Sequence, residues 1–598
     1  MAFPTDILQP ELDELFPLKR NGFGDGVFEI GLALAGTVSA GAYTAGVLDF
    51  LMEALDAWTK AKEGGHADAP KHKVVLSTVA GTSGGGINSA LLARAAGWSF
   101  KHGSVAGNPF YTTWTTTGGL SAFLSDAPER GVSGFGSAFN CTALDKIADT
   151  AIRFTGQPLG DAQSPKFRSY LADPLRLMVM VGNVSGLPYA MKWKGETDLR
   201  HDMMAHADFV RFSLTVNGGH PNPPASRPDE LPLSSGSETN WGSVQAAALA
   251  TSAFPIVFRS RPVTRSLASC GYRVTVVPSD TGPAQVTQLI PRWEALAKPD
   301  DVTVDLVTVD GGTVNNEPFD VVRTALAGFN NRNTRDGKNA DRAVIMVDPF
   351  SDPETVGPTK PPGAFGLILP LVMSLVYQAR FKPADLALAR DPDVYSRFLI
   401  APFGPGAEQQ PFSGKGAIAA GGLGGFLGFV DPGFMEYDYK LGRRNAYEFL
   451  TEEFLFPEAN PVFGDPYWTD AQRDKYRKTV TINNAPIKVL PMIPLMSTVE
   501  APPAGTALRW PQLPKFPEKL PDAIEARLDA VFDLILEEVK PKSWFKSFAV
   551  STYLKLGWGA AKGSVRDAAV KVLTDALLAQ KLLDPSSVEQ PPSGVDLP

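Results

Sequence analysis

The stretch VVLSTVAGTSGG, Val74 to Gly85, decides the fold. Its first seven residues, Val74 to Ala80, are an apolar, partly β-branched run of the length expected of a buried strand. Gly81 ends the run, and the small-residue stretch from Ile87 to Ala96 that follows favours helix. The predicted order is strand, glycine-bearing turn, helix. The turn itself, Gly81-Thr82-Ser83-Gly84-Gly85, satisfies the G-x-S-x-G pattern of a nucleophile elbow. A sharp strand-to-helix turn strains the backbone of its central residue, and flanking glycines remove the Cβ clashes that would block it. Ser83 then projects at a helix N-terminus, where backbone N–H groups and the helix dipole favour developing negative charge. A Gly/Ser-rich turn that only caps a helix fits the same five letters, so the pattern alone leaves both readings open.

Working outward, two more runs repeat the theme. Phe28 to Ala35 (FEIGLALA) stops at Gly36, after which Val47, Leu51, Leu55 and Trp58 recur at helical spacing. Val302 to Val309 (VTVDLVTV) ends at Asp310-Gly311-Gly312. Three strands closed by glycine-bearing turns predict a parallel α/β sheet whose functional groups gather beyond the carboxyl ends of its strands. Phe100 to Gln245, rich in Gly, Ser, Thr and Pro, is expected to hold insertions and edge strands, Leu175 to Met191 among them. Asp352 to Pro362 (DPETVGPTKPP) follows the strand candidate Val344 to Val347 and is expected to end the first domain. Beyond it, the glycine-rich Ala417 to Phe429 (AIAAGGLGGFLGF) and the proline-punctuated Pro502 to Pro521 suggest helices joined by stiff loops.

The 598 residues, 44% hydrophobic and 20% charged, suit a folded chain of one large or several ordinary domains. A net charge of −8 is the opposite of the balance expected of a nucleic-acid binder, so no nucleic-acid partner is expected. Cys141 and Cys270 are too few and too far apart for a disulfide framework or a Cys-rich zinc site, which fits a cytoplasmic protein. Met1 to Leu18 carries Asp6, Glu11, Asp13 and Glu14 and lacks the basic and apolar regions of a secretory signal. The most apolar run, Ala364 to Tyr377, is broken by Pro370 and is short of a membrane span, so a buried helix is expected over a lid or membrane-dipping segment.

A serine nucleophile needs a base. The six histidines are His66, His72, His102, His201, His206 and His220, and none follows position 220. His201 and His206, in HDMMAH, have a spacing that suits neither a metal pair nor an elbow partner and read as surface or packing residues. Asp310 is the better candidate. It sits at a strand end with Gly311 and Gly312 behind it, where a carboxylate can hydrogen-bond directly to a serine hydroxyl. Asp-Gly is also ordinary turn chemistry.

Four ordered blocks resemble those of the patatin-like phospholipases: LAGTVSAGAYTAGVL (Leu34 to Leu48), GTSGG (Gly81 to Gly85), AALATSAFPIVF (Ala247 to Phe258) and DGGTVNNEP (Asp310 to Pro318). YDYKLGRRNAYEFL (Tyr437 to Leu450) is similar to a segment of bacterial members with a long C-terminal extension. The resemblance implies a three-layer α/β/α sandwich with a mainly parallel sheet over residues 22–350, with insertions around 100–245, and a mostly helical region over 351–598. It also implies lipid acyl hydrolysis by a Ser83–Asp310 dyad without histidine, metal or organic cofactor. The substrate would be a membrane phospholipid or another lipid ester, cleaved by a phospholipase A or lysophospholipase type of activity. A thioesterase, a soluble-ester hydrolase and a weakly catalytic lipid-binding scaffold are the rivals.

The oxyanion hole is expected from backbone N–H groups of Gly36, Thr37, Val38 and Gly84. This loop departs from the family pattern: Thr37 and Val38 replace glycines, and Ala40 stands where a basic residue is usual. β-Branched residues disfavour positive φ, so the loop is not expected to reach every geometry of a glycine run. Farther along, Lys540 to Lys581 interleaves basic residues with Trp544, Phe545, Phe548, Tyr553 and Trp558. That pattern serves peripheral contact with an anionic membrane or, more ordinarily, a packed helix with a solvated face.

Overall fold

The computed structural model describes residues 26–587, apart from internal stretches of which the longest are 154–165, 193–199, 217–229, 278–284, 352–359 and 381–393. His220, Met1 to Leu18 and most of Asp352 to Pro362 lie outside the described residues. Chain order runs β1 (Val27–Leu34), α1 (Gly41–Glu63), β2 (Lys73–Gly81), α2 (Gly84–Ala96), β3 (Leu171–Lys192), β4 (Arg200–Thr215), α3 (Trp241–Thr251), β5 (Arg261–Ser266), β6 (Thr303–Asp310), α4 (Phe319–Ala327), β7 (Arg342–Val347), α5 (Ile368–Arg380), β8 (Arg397–Ile400) and α6 (Pro432–Glu448), with shorter elements between them.

The class is α/β, with a mostly parallel central sheet and flanking helices. Strands in the order β8-β7-β1-β2-β3 are parallel neighbours. Alternation along β1 sets the layers: Phe28, Ile30, Leu32 and Leu34 enter the large core shared with α1, α2, α3 and α6. Ala33 turns to the other face, where Val322 and Leu326 of α4 pack with Ala80 and Val344.

Two expectations about strands are corrected. Leu175 to Met191 belongs to β3, which pairs with β2 on one side and β4 on the other and is no edge strand. Its core-facing residues Leu175, Leu177, Val179 and Val181 and its opposite-facing Met178 are all buried, the pattern of a strand covered on both faces. The run from Val302 to Val309 forms a strand, but that strand, β6, is antiparallel to both β3 and β5. An apolar period of two carries no information about strand direction.

The sheet also crosses the boundary expected near residue 350, because β8 pairs in parallel with β7. The C-terminal region packs into the same core. Helix α6 crosses α1 at two glycines: a Cβ on Gly46 would lie 2.0 Å from the Tyr439 carbonyl oxygen, and one on Gly442 would lie 2.1 Å from that of Tyr43. At this crossing Asp49, fully buried, accepts from the Tyr439 hydroxyl at 2.6 Å and pairs with Arg443 and His102. Burial alone would raise the Asp49 carboxyl, and these partners hold it below its usual value instead.

Among the described residues the C-terminal part is mostly helical; besides β8 it holds a short antiparallel pair, Phe403–Gly404 with Phe412–Ser413, and a three-stranded antiparallel sheet of Leu455–Pro457, Ala485–Pro491 and Lys478–Ile482. Helices α7 (Leu520–Val539) and α8 (Trp544–Ala579) pack on each other, with the Phe532 and Trp558 rings stacked at 4.6 Å. Lys562 and Arg566 of α8 pair with Glu525 of α7, and Lys555 pairs with Asp533. The basic charge described on α8 is thus turned largely toward its neighbour, which favours the packed-helix reading. The apolar run from Ala364 behaves differently from expectation. It gives α5, whose Leu371 and Leu375, with Leu367 just before it, are about half exposed. Among the described residues no helix is long and apolar enough to cross a membrane.

Candidate active site

Ser83 sits between β2 and α2 with φ 53° and ψ −127°, the strained conformation anticipated from the turn. Its neighbours leave no room for side chains: a Cβ on Gly85 would lie 2.4 Å from the Leu34 and Ala35 carbonyl oxygens, and one on Gly81 would lie 2.3 Å from that of Gly85. The Ser83 hydroxyl donates to Asp310 Oδ2 at 2.6 Å. The other oxygen, Oδ1, accepts from the Gly312 amide at 2.7 Å, and Gly311 is pressed against the Met180 carbonyl, so the turn after β6 aims the carboxylate. Both residues are nearly sequestered, with Ser83 6% and Asp310 3% exposed. Burial pushes the Asp310 carboxyl up to about 7, although hydrogen bonds from Ser83 and Gly312 pull the other way. Such a group is ionised near neutrality and still basic enough to accept a proton.

No histidine shares this site among the described residues. His72 is buried against Met492 and Trp468, His102 bridges Asp49 and Asp56, His206 bonds the Asn183 carbonyl, and His66 and His201 are exposed.

A family model for patatin-like phospholipase matches residues 32–323, a span that contains both Ser83 and Asp310. An uncharacterized protein, y4iI, of Sinorhizobium fredii is 33% identical over 552 residues, covering 84% of this chain and 75% of that one. The chain belongs to the patatin-like phospholipase family. This is a family of lipid-ester hydrolases, and the cleft around the pair has the corresponding character. Ser83 and Asp310 line an apolar cleft walled by Ile87, Trp114, Leu144, Ile147, Phe254, Phe258, Phe426 and Phe429. Apolar walls around a few polar groups suit a ligand with a hydrocarbon part.

The loop after β1 differs from the expectation for this patatin-like chain at two points. Val38 does adopt positive φ, 48°, despite its branched Cβ, a strain on the order of 1–3 kcal/mol that the surrounding contacts hold in place. The Gly36 amide donates to the Asn316 carbonyl at 3.0 Å, so it is engaged in fixing the loop and not in facing the cleft. Ala40, where a basic residue is usual in the family, is fully buried. Val38 and Gly84 open helical turns, which leaves their amides among the donors without an intrahelical acceptor.

Sequence reasoning missed the residues that brace the pair. Thr251, the last residue of α3, accepts from the Ser83 amide at 2.8 Å, and the Ala253 carbonyl accepts from the Asp310 amide at 2.9 Å. The block Ala247 to Phe258 therefore ties the nucleophile candidate to the base candidate. A threonine closing a small-residue helix was the available signal. The glycine-rich 417–429 stretch covers the loop after β1, with Ser39 donating to the Gly425 carbonyl. Asp438 of α6 holds that stretch by accepting from the Ala419 and Ala420 amides at 2.7 and 3.0 Å.

Proposed function

We propose that this chain is a serine lipid acyl hydrolase of the phospholipase A or lysophospholipase type, with Ser83 as nucleophile and Asp310 as base. The observation that carries the reading is the 2.6 Å hydrogen bond between the two side chains within an apolar cleft. Asp310 takes the hydroxyl proton as Ser83 Oγ attacks the acyl carbonyl. The carbonyl π electrons move to oxygen, where the amides of Val38, Thr37 and Gly84 stabilise the charge. Collapse expels the glycerol or lysolipid alkoxide, which receives the proton from Asp310. Water then repeats the sequence on the acyl-enzyme and releases the fatty acid, restoring both groups.

The hydrocarbon walls favour a fatty-acyl chain over a small polar acyl group. Contact with a lipid surface falls to α5, which packs beside the turn at Gly311 and exposes Leu367, Leu371 and Leu375. The test is labelling by a fluorophosphonate probe together with fatty-acid release from phospholipid vesicles. Ser83→Ala is expected to abolish both with the fold intact, and labelling that persists in the variant would place the nucleophile elsewhere.

A further inference from the structure

Thr37 carries a hydroxyl that the reading above leaves unused. The residue is 1% exposed, and among the described residues its Oγ1 is buried with no hydrogen-bond partner. Burying a hydroxyl without a partner is unfavourable, and such an atom in a functional region calls for an explanation. Its position supplies one. A Cβ built on Gly84 would fall 2.2 Å from Thr37 Oγ1, so the hydroxyl lies against the residue that follows Ser83, in the space any side chain there would need. Gly84 is thus required to be glycine by a polar atom, and that atom borders the amide expected to face the oxyanion.

The loop around Thr37 also has one donor fewer than expected. Gly36 has its amide engaged by Asn316, and Ala40, fully buried, supplies no charge. Meanwhile Thr37 is fixed on both sides. Its carbonyl accepts from the Ala40 amide at 3.0 Å, and Gly425 packs against it. A hydroxyl rotor on a fixed backbone can donate to a charge that appears beside it without any movement of the chain.

We propose that the Thr37 hydroxyl is an oxyanion donor, hydrogen-bonding the carbonyl oxygen of the scissile ester as it becomes negative during attack by Ser83. This rests on the reading of Ser83 as nucleophile. The hydroxyl gains its partner as charge develops, so its effect falls on the transition state and therefore on kcat.

The test uses the full chain, with Thr37→Val removing the hydroxyl at constant shape, Thr37→Ser keeping it, and Thr37→Ala as a second removal should the valine fail to fold. On a soluble ester, kcat is expected to fall about 10²- to 10³-fold in the valine and alanine variants with KM little changed, and to recover to within about tenfold of the parent in the serine variant. Fluorophosphonate labelling of Ser83 should persist at a reduced rate in all three. Turnover equal to the parent without the hydroxyl, or a serine variant as slow as the valine one, overturns the proposal. If the parent protein itself fails to label at Ser83, the nucleophile reading falls and this proposal with it, which separates the two failures.

Discussion

Ser83 and Asp310 meet because β2 and β6 run toward each other along β3. Gly81, at the end of β2, stands opposite Val179, and Asp310, at the end of β6, stands opposite Val181. The two strand ends are therefore held two residues apart on a common neighbour, and β3 acts as the ruler that sets the distance between hydroxyl and carboxylate. Because the ruler is a buried strand and not a loop, the pair is positioned before any substrate arrives.

The first consequence is a pH profile. As the proposed base, Asp310 must be ionised to accept the serine proton, and burial raises its carboxyl to about 7. On a neutral soluble ester, kcat/KM is expected to fall about tenfold per unit below that value and to level off above it. An acid limb centred near the ordinary carboxylate range would contradict this assignment.

A second follows from the same residue with the sign worked through stability. The folded-state carboxyl is raised by burial above its ordinary value of 3.8 to about 7, so its favourable contribution is complete below the lower value and is lost as pH rises through the upper one. Asp310→Asn removes that pH dependence. The variant should lose roughly 10⁴-fold or more in turnover, as removal of a proton acceptor from such a device does, yet melt higher relative to the parent at pH 8 than at pH 4. Thermal melts at the two pH values check it.

The Asp49 cluster offers a control without effect on chemistry. Tyr439→Phe takes one donor from a buried carboxylate and should destabilise by about 1–3 kcal/mol. Asp49→Ala leaves Arg443 with Glu53 as its remaining carboxylate partner and should cost up to about 3–5 kcal/mol. Urea unfolding measures both, and the folded fraction of each variant should still label at Ser83.

Phe426 lies in the cleft wall near Phe254 and Phe258. Phe426→Ala opens space there, so the preferred acyl length should increase across a series of p-nitrophenyl esters. An unchanged length preference would put the acyl chain in another direction.

Helix α5 gives a separation of surface and chemistry. Leu371→Asp combined with Leu375→Asp should reduce hydrolysis of vesicles at least severalfold while a short soluble ester is cleaved as before. Equal losses on both substrates would show that α5 supports the site rather than the lipid surface.

How much of this was legible in the sequence differs residue by residue. Ser83 and its glycines were readable because a strand-to-helix elbow leaves few alternatives to small residues. Asp310 was readable as a strand end, but the direction of its strand was not, since pairing partners lie far off in sequence. β3 was mistaken for an edge because the Gly- and Pro-rich segments around it masked an apolar run buried on both faces. The φ of Val38 went against local preference, since the propensity of one residue is overridden where contacts from Asn316, Gly84 and Gly425 fix the loop. The exposure of α5 was hidden because an apolar helix has the same composition whether it is buried in a core or presented at a surface.

The crossing of α1 and α6 has a consequence for how the chain is made. Tyr439 follows its partner Asp49 by 390 positions, and β8, which covers the edge of β7, also emerges late. At ordinary elongation rates roughly 20 to 80 seconds of synthesis separate the two helices. Throughout that interval the nascent first half carries a helix face cut for a partner not yet translated, a carboxylate with no Arg443 to meet it, and an open strand edge. The core shared by α1 and α6 therefore closes only late in synthesis, once 448 of the 598 residues have been made.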